Sequence, residues 1–280
     1  MLFVYLGGEI KIWRQFQNMS SKIKNAFSKK AIIAYVTLGD PSLAVTLDYC
    51  KALIDAGVSM IEIGIPFSDP IADGPVIQLS HQNALSTGED VSVSRALELI
   101  AQLHEFAPDF PCVIMSATNL IHRYGYKTFL THAQQMHCAG IIMPDCSLEM
   151  ISEMTENAVS ESVPLINLIS PLCTKERLKA IVTQSQGFIY LISSTGITGE
   201  RRSFSNQLSD CITEIKAIKD IPVAIGFGVS TPEHCQKLSQ LSDGVIIGSH
   251  FVKLMQENRA NPNQGIRAIC DRVKQFTAVL

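Results

Sequence analysis

Residues 31–63 read AIIAYVTLGDPSLAVTLDYCKALIDAGVSMIEI, and this stretch decides the fold class. Two apolar, β-branched runs at 31–38 and 58–63 predict buried strands, and the region 43–56 between them predicts a helix. A helix that joins two strands is typical of a parallel sheet. The turn after the first strand, at 37–41, reads TLGDP instead of the G-x-G-x-x-G of a dinucleotide-binding open sheet.

The same alternation continues to the C-terminus. Six further strands are predicted, at 112–117, 140–143, 164–169, 188–193, 222–225 and 244–247. Helical patterns are predicted at 22–27, 43–56, 76–86, 91–106, 126–138, 148–159, 175–184, 206–219, 232–241, 250–256 and 265–278. Eight repeats favour a (β/α)8 TIM barrel with an extra N-terminal helix and a short helix after the eighth strand. A doubly wound open sheet is the alternative.

The chain length fits one barrel. Of its 280 residues, 46% are hydrophobic, and α/β barrels run to about 250 residues as one domain. We therefore predict a single domain over 19–280. Residues 1–18 are predicted to be a disordered extension, because their apolar start precedes the positive charges, the reverse of a signal peptide. Ser20 and Ser21 then supply an N-cap for the first helix.

Composition argues against several classes of protein. The formal net charge of −3 leaves no basic patch for nucleic acid, and no apolar run approaches the length of a membrane span. The eight cysteines form no C-x-x-C pair and the seven histidines show no metal-binding spacing. We expect reduced thiols in a cytoplasmic protein without a metal site.

Two carboxylates follow the second strand. Glu62 interrupts an apolar strand, where burial would raise its pKa and allow proton exchange. An ion pair with a lysine or arginine is the alternative for Glu62 taken alone. Asp69 and Asp73 lie in a Pro/Gly-rich loop, where turn formation is the default role. A second carboxylate close to Glu62 would nevertheless suit a divided acid/base task.

Later strand ends carry a tyrosine and several glycines. Tyr190 lies in the sixth strand, where a core position with a satisfied hydroxyl is the usual role. Glycines at Gly199, Gly228 and Gly248 follow the last three strands, and a short helix starts near Ser249. Backbone N–H groups at such turns and at a helix N-terminus bind a phosphate dianion without lysine or arginine.

Over roughly residues 20–280, the sequence resembles the tryptophan synthase α subunit family. The run 62–75, EIGIPFSDPIADGP, resembles the family signature, and 35–41, YVTLGDP, resembles its first strand end. Tyr190 with the loop 196–199, GITG, is similar to its sixth strand and the loop that follows. The family's phosphate-binding turns are matched by 226–229, GFGV, and by Gly248-Ser249.

The resemblance implies a lyase that cleaves indole-3-glycerol phosphate to indole and glyceraldehyde 3-phosphate in tryptophan biosynthesis. It implies that Glu62 is the general acid/base and that Asp73 accepts a hydrogen bond from the indole N–H. The residues expected to bind the substrate are Tyr35, Tyr190, Thr198, Gly199, Gly228, Gly248 and Ser249. Among these, Tyr35 and Tyr190 line the pocket, Thr198 belongs to the closing loop, and the others hold the phosphate.

The resemblance also implies partners. The family works as an α2β2 heterotetramer whose β subunit carries pyridoxal phosphate, so this chain is expected to bind no cofactor itself. Three positions depart from the common pattern: Ala117 stands where an aromatic residue is more frequent, Ser147 where proline is, and Ser194 where arginine is. These departures lie near the surface that faces the β subunit and leave the cleavage roles intact.

Two other functions are open at this stage. An indole-3-glycerol phosphate synthase or a phosphosugar isomerase would use the same barrel and phosphate site. A synthase is expected to place a lysine near a strand end, and the predicted strands contain none. A non-catalytic partner that only activates a β subunit is the second alternative, against which Glu62, Asp73 and Tyr190 argue.

Overall fold

The computed structural model describes residues 21–151, 163–193, 201–226 and 228–280. Eight parallel strands close into a barrel in chain order, and β1 pairs with both β2 and β8. The TIM-barrel prediction is confirmed, and the open sheet is wrong. The strands are β1 Ala31–Thr37, β2 Met60–Gly64, β3 Cys112–Met115, β4 Gly140–Ile142, β5 Leu165–Ile169, β6 Ile189–Ile192, β7 Val223–Gly226 and β8 Gly244–Ile247.

Helices cover the outside of the barrel. They span Leu43–Ala56, Pro75–Leu85, Val93–Phe106, Thr118–Tyr124, Tyr126–Gln135, Lys175–Gln184, Arg201–Ile218, Pro232–Leu241, Ser249–Glu257 and Pro262–Thr277. Residues 21–26 are also helical, as are 148–151. The predicted extension 1–18 and most of the predicted helix 148–159 lie outside the described residues.

Local capping explains where several helices begin. The Ser42 side chain accepts a hydrogen bond from the Val45 N–H group, and Gly57 ends the same helix with φ 97°. The last helix begins at Pro262, three residues before the predicted start. The Asn261 side chain accepts from the Gln264 N–H group, and Pro262 occupies a first-turn position that needs no N–H donor.

Strand alternation divides the core into two layers. Ile61 and Ile63 of β2 pack outward against the helices, whereas Met60 packs in the barrel interior with Tyr35 and Tyr190. Glu62 has the same parity as Met60 and pairs in register with Tyr35. The fold therefore directs the side chains of Tyr35, Glu62 and Tyr190 into the barrel interior.

The described residues contain neither a membrane-spanning helix nor a cluster of metal ligands. None of the described helices combines the length and apolar character needed to cross a membrane. Likewise, His, Cys, Asp and Glu side chains in the described part form no group of three or more that could hold a metal ion. All eight cysteines are free thiols.

Candidate active site

Glu62 is a buried acid without a hydrogen-bonding partner in the described part of the chain. Its side chain is 1% exposed, and neither carboxyl oxygen bonds to a described residue. Burial, and secondarily the charge of Asp73, raises the pKa of Glu62 to about 8. The ion pair that was the alternative role of Glu62 does not occur among the described residues. Glu62 is therefore largely protonated at neutral pH and able to donate a proton.

Asp73 lies in the loop between β2 and the helix Pro75–Leu85. Its carbonyl oxygen accepts a hydrogen bond from the Gln78 side chain at 2.8 Å, and its side chain is 13% exposed. Burial raises the pKa of Asp73 to about 6, so its carboxylate is mostly ionised at pH 7. The two acids therefore hold opposite protonation states at neutral pH, as a divided acid/base task requires.

Two tyrosines pack against glycines at the strand ends. A Cβ atom at Gly64 would lie under 3.0 Å from the ring and hydroxyl of Tyr35, and one at Gly226 would lie equally close to Tyr190. Burial raises the pKa of both tyrosines well above the usual value. The negative charges of Glu62 and Asp73 also raise the pKa of both tyrosine hydroxyls. The four acidic groups therefore interact electrostatically as one cluster.

The predicted phosphate turns are only partly described. Gly228 follows β7 with φ 77°, a left-handed conformation that favours glycine. Gly248 precedes the helix Ser249–Glu257, and no described side chain caps this helix start. A Cβ at Gly248 would lie 3.5 Å from Tyr35 Cβ and from Ile77 Cδ1, which places this turn beside the tyrosine. Thr198 and Gly199 lie outside the described residues.

A cavity opens at the carboxyl ends of β1 to β4. It is lined by Tyr35, Gly64, Ile65, Phe67, Asp69, Pro70, Ile71, Ala72, Asp73, His81, Met115, Ser116, Ala117, Pro144 and Asp145. Of the predicted site residues, Tyr35 and Asp73 reach this cavity. Glu62 and Tyr190 are buried and do not line it. This is the end of the barrel at which TIM-barrel enzymes place their active sites.

Comparison with known proteins decides the family. Residues 21–280 match the family model described as "Tryptophan synthase alpha chain". The chain belongs to the tryptophan synthase alpha chain family. It is 38% identical to the tryptophan synthase alpha chain of Desulfatibacillum aliphaticivorans, over 93% of this chain and 97% of the relative. It is 39% identical to that of Lactiplantibacillus plantarum, over 81% and 84% of the two chains.

Solved structures agree with this assignment. The tryptophan synthase alpha chain of Legionella pneumophila has a TM-score of 0.81 and 26% identity, covering 95% of this chain and 96% of its own. A mutant alpha subunit from Pyrococcus furiosus has a TM-score of 0.78 and 34% identity, covering 89% of this chain and 98% of its own. Membership of this family makes the chain an enzyme, a carbon–carbon lyase of the aldehyde-lyase class.

His81 and Asp145 line the cavity and were not predicted as site residues from the sequence. His81 lies on the buried face of the helix Pro75–Leu85, with Ile77, Ser80 and Ala84. Its helical spacing from Ile77 and Ala84 was a usable signal, because a histidine on an apolar face needs a partner. Asp145 accepts hydrogen bonds from the N–H and hydroxyl of Thr118 at 2.9 and 2.7 Å.

Two of the positions that depart from the tryptophan synthase pattern are described. Ala117 lines the cavity, so its small side chain leaves space at the rim that an aromatic ring would fill. Ser147 accepts a hydrogen bond from the Met150 N–H group at 3.3 Å and thus caps the helical residues 148–151. Ser194 lies outside the described residues.

Proposed function

We propose that this chain cleaves indole-3-glycerol phosphate to indole and glyceraldehyde 3-phosphate in tryptophan biosynthesis, with Glu62 as the general acid/base and Asp73 as its partner. One observation carries the assignment of roles: a buried, protonated Glu62 lies in electrostatic contact with a largely ionised Asp73 inside the barrel. Both acids come from the same strand–loop segment, 62–73.

The reaction is a retro-aldol cleavage. Glu62 donates its proton to C3 of the indole ring, which leaves a positive charge centred on the ring nitrogen. Asp73 accepts a hydrogen bond from the indole N–H and stabilises that charge. The Glu62 carboxylate then removes the proton of the glycerol hydroxyl, the C3–C bond breaks, and the hydroxyl carbon becomes the aldehyde. Glu62 ends the cycle protonated, so no cofactor is consumed.

Substrate binding uses the tyrosines and the glycine turns. We assign Tyr35 and Tyr190 to the walls beside the indole ring, and the phosphate to the turns at Gly228 and Gly248-Ser249. The Ser249–Glu257 helix directs its positive end toward this turn. Thr198 and Gly199 belong to the same proposal on the resemblance alone. Because both Glu62 oxygens are buried, substrate reaches them only when side chains around the cavity move.

The described strands offer no lysine to act as the general acid of synthase chemistry. None of the eight described strands contains a lysine. This supports cleavage by carboxylic acids over the lysine-dependent reaction of an indole-3-glycerol phosphate synthase.

The proposed partner is a pyridoxal-phosphate-dependent β subunit in an α2β2 heterotetramer. A tryptophan synthase from M. tuberculosis in its aminoacrylate-bound form has a TM-score of 0.78 and 27% identity, covering 95% of this chain and 98% of its own. Ile71, at the cavity mouth, is 83% exposed, which suits a rim that a partner covers. The absence of disulfide bonds among the eight cysteines suits a reducing compartment, so we propose that the protein lies in the cytoplasm. We propose neither a nucleic acid nor a membrane as a partner.

An indole-release assay tests this function. Purified chain should release indole from indole-3-glycerol phosphate slowly alone and much faster with its β subunit. Glu62→Gln should lower the rate about 10²–10⁴-fold and still bind substrate, because the amide keeps the shape and loses the proton. Glu105→Gln, on an exposed helix position, is the matched control and should retain full activity. Full activity in Glu62→Gln would overturn the role of Glu62.

A further inference from the structure

His81 is a buried histidine at the cavity whose position is fixed from two sides. It lies in the helix Pro75–Leu85, which begins two residues after Asp73, and it is 5% exposed. Its ring contacts the chain on the Nδ1 side and on the Nε2 side, and the two contacts differ in character.

The Nδ1 side contacts the loop. The Phe67 N–H group lies 3.1 Å from Nδ1, and the Phe67 carbonyl oxygen lies 3.3 Å from it. The first contact makes Nδ1 an acceptor and leaves the ring hydrogen on Nε2, whereas the second requires the opposite tautomer.

The Nε2 side selects between these tautomers. Nε2 lies 3.0 Å from the Tyr35 hydroxyl and 3.8 Å from Asp73 Oδ2. A lone pair on Nε2 would face the carboxylate and repel it, whereas an Nε2–H group attracts it. Burial lowers the pKa of His81, so the ring is neutral at pH 7 and acts as a hydrogen-bond donor without a full charge.

We propose that His81 is a positioning residue that orients Asp73 through its Nε2–H group, which Tyr35 accepts in the empty site and Asp73 accepts when substrate binds. This inference rests on the proposed function, in which Asp73 receives the indole N–H. The 3.8 Å separation suits such a change of acceptor, since hydrogen bonds in catalytic sites often tighten only in the substrate complex.

His81 is the one basic side chain among the described residues that line the cavity with Asp73. The titratable groups that face Asp73 or line the cavity with it are acidic apart from His81: Glu62 on β2, Tyr35 on β1, Tyr190 on β6, Asp69 in its own loop and Asp145 after β4. The described residues that line the cavity include no lysine or arginine. Without His81, the described titratable groups around ionised Asp73 would all be acidic.

Two substitutions separate this role from simple anchoring of the loop. In His81→Asn the amide reaches the Nδ1 position and keeps the Phe67 contact, but it cannot reach Asp73. In His81→Gln the amide N–H reaches the Nε2 position and loses the Phe67 contact. The acid limb of kcat against pH reports the ionisation of Asp73 in the substrate complex, the state in which His81 is proposed to donate to it. We expect it to rise by about one pH unit in His81→Asn, the loss of one hydrogen bond to a charge, and to stay near wild type in His81→Gln.

Other outcomes would overturn the inference. Equal acid limbs in both variants, or a rise only in His81→Gln, would assign His81 to the loop alone. If His81→Asn does not fold, Tyr35→Phe provides the test: it leaves Asp73 as the sole acceptor of the Nε2–H group, so the acid limb should stay or fall, and a rise would contradict the role. A wild-type chain that releases no indole would refute the proposed function itself, whereas indole release with an unshifted His81→Asn refutes only this inference.

Discussion

The ring of Tyr190 on β6 occupies the space in front of Gly226 on β7. A Cβ atom at Gly226 would lie under 3.0 Å from the ring and hydroxyl of Tyr190, a separation that real Cβ atoms essentially never show. The two strands pair so that Tyr190 lies opposite Ala224, two residues before the glycine. Position 226 therefore has to be glycine, because a side chain there would occupy the space that the Tyr190 ring fills in the barrel interior.

We predict that Gly226→Ala displaces Tyr190 and lowers both stability and catalysis. Overpacking of this kind costs about 1–3 kcal/mol, and the displaced ring no longer supports the substrate pocket. Gly265→Ala is the matched control, because its Cβ would also lie under 3.0 Å from a tyrosine hydroxyl, that of Tyr49, at a distance from the barrel mouth. Thermal melts should show destabilisation in both variants, and indole release by the folded enzyme should fall only in Gly226→Ala. Equal kinetics in the two variants would contradict the link between Gly226 and the site.

The pH dependence of turnover should follow the two acids. The proposed cycle begins with Asp73 ionised and Glu62 protonated, and their pKa values are raised to about 6 and about 8. Activity should therefore rise as pH increases through 6 and fall as it increases through 8. The measurement is kcat/KM for indole release between pH 5 and 9, where a profile without an alkaline limb would contradict protonated Glu62 as the starting state.

Asp73→Asn is the companion variant for that profile. It removes the ionisation assigned to the acid limb, so the remaining activity should be low and should not rise between pH 5 and 7. A retained acid limb would assign that ionisation to a different group.

The strands were predictable because their signal is local. The predicted first strand 31–38 agrees with Ala31–Thr37 within one residue, since an apolar, β-branched run bounded by turn residues needs no other information. The helix Thr118–Tyr124 was missed because its support comes from far along the chain. The Asp145 carboxylate bonds the Thr118 N–H group at the start of this helix, and a contact over 27 residues leaves no trace in local periodicity.

The residues of the candidate site also differ in how far the sequence could predict them. Glu62 stood out because a charge in an apolar strand is visible in the sequence, whereas Asp73 was distinguished from Asp69 only by the resemblance of the run 62–75 to the family signature. The contact between Tyr35 and His81 joins residues 46 positions apart, and only the closed barrel shows it. Gly64 and Gly226, which face Tyr35 and Tyr190, appear in the sequence analysis only within the family-like runs 62–75 and 226–229, whereas their requirement comes from rings on adjacent strands.

The burial of Glu62 should make stability depend on pH with a defined sign. The pKa of Glu62 is raised to about 8 in the folded chain from about 4.3 in an unfolded one. Between these values the folded state binds more protons than the unfolded state, so the free energy of unfolding falls as pH increases. The whole effect is on the order of 5 kcal/mol.

Glu62→Gln isolates this contribution because glutamine does not titrate. The stability of Glu62→Gln minus that of wild type should increase from pH 5 to pH 8, measured by urea unfolding at each pH. Glu105→Gln, at an exposed helix position, is the control for replacing a glutamate at the surface. A difference for Glu62→Gln that stays constant with pH would mean that the acid is not protonated in the folded protein.

The phosphate turn can be tested with two glycines whose φ angles are nearly equal. Gly228 has φ 77° and Gly88 has φ 78°, but Gly88 lies in an exposed surface turn with no atom near a prospective Cβ. Aspartate at either position carries the same backbone strain, so both variants should lose similar stability. Only Gly228→Asp places a negative charge where the phosphate is proposed to bind, and it should weaken the binding of glyceraldehyde 3-phosphate at least tenfold, about 1.4 kcal/mol. Calorimetric titration of both variants measures this, and unchanged affinity in Gly228→Asp would remove Gly228 from the anion site.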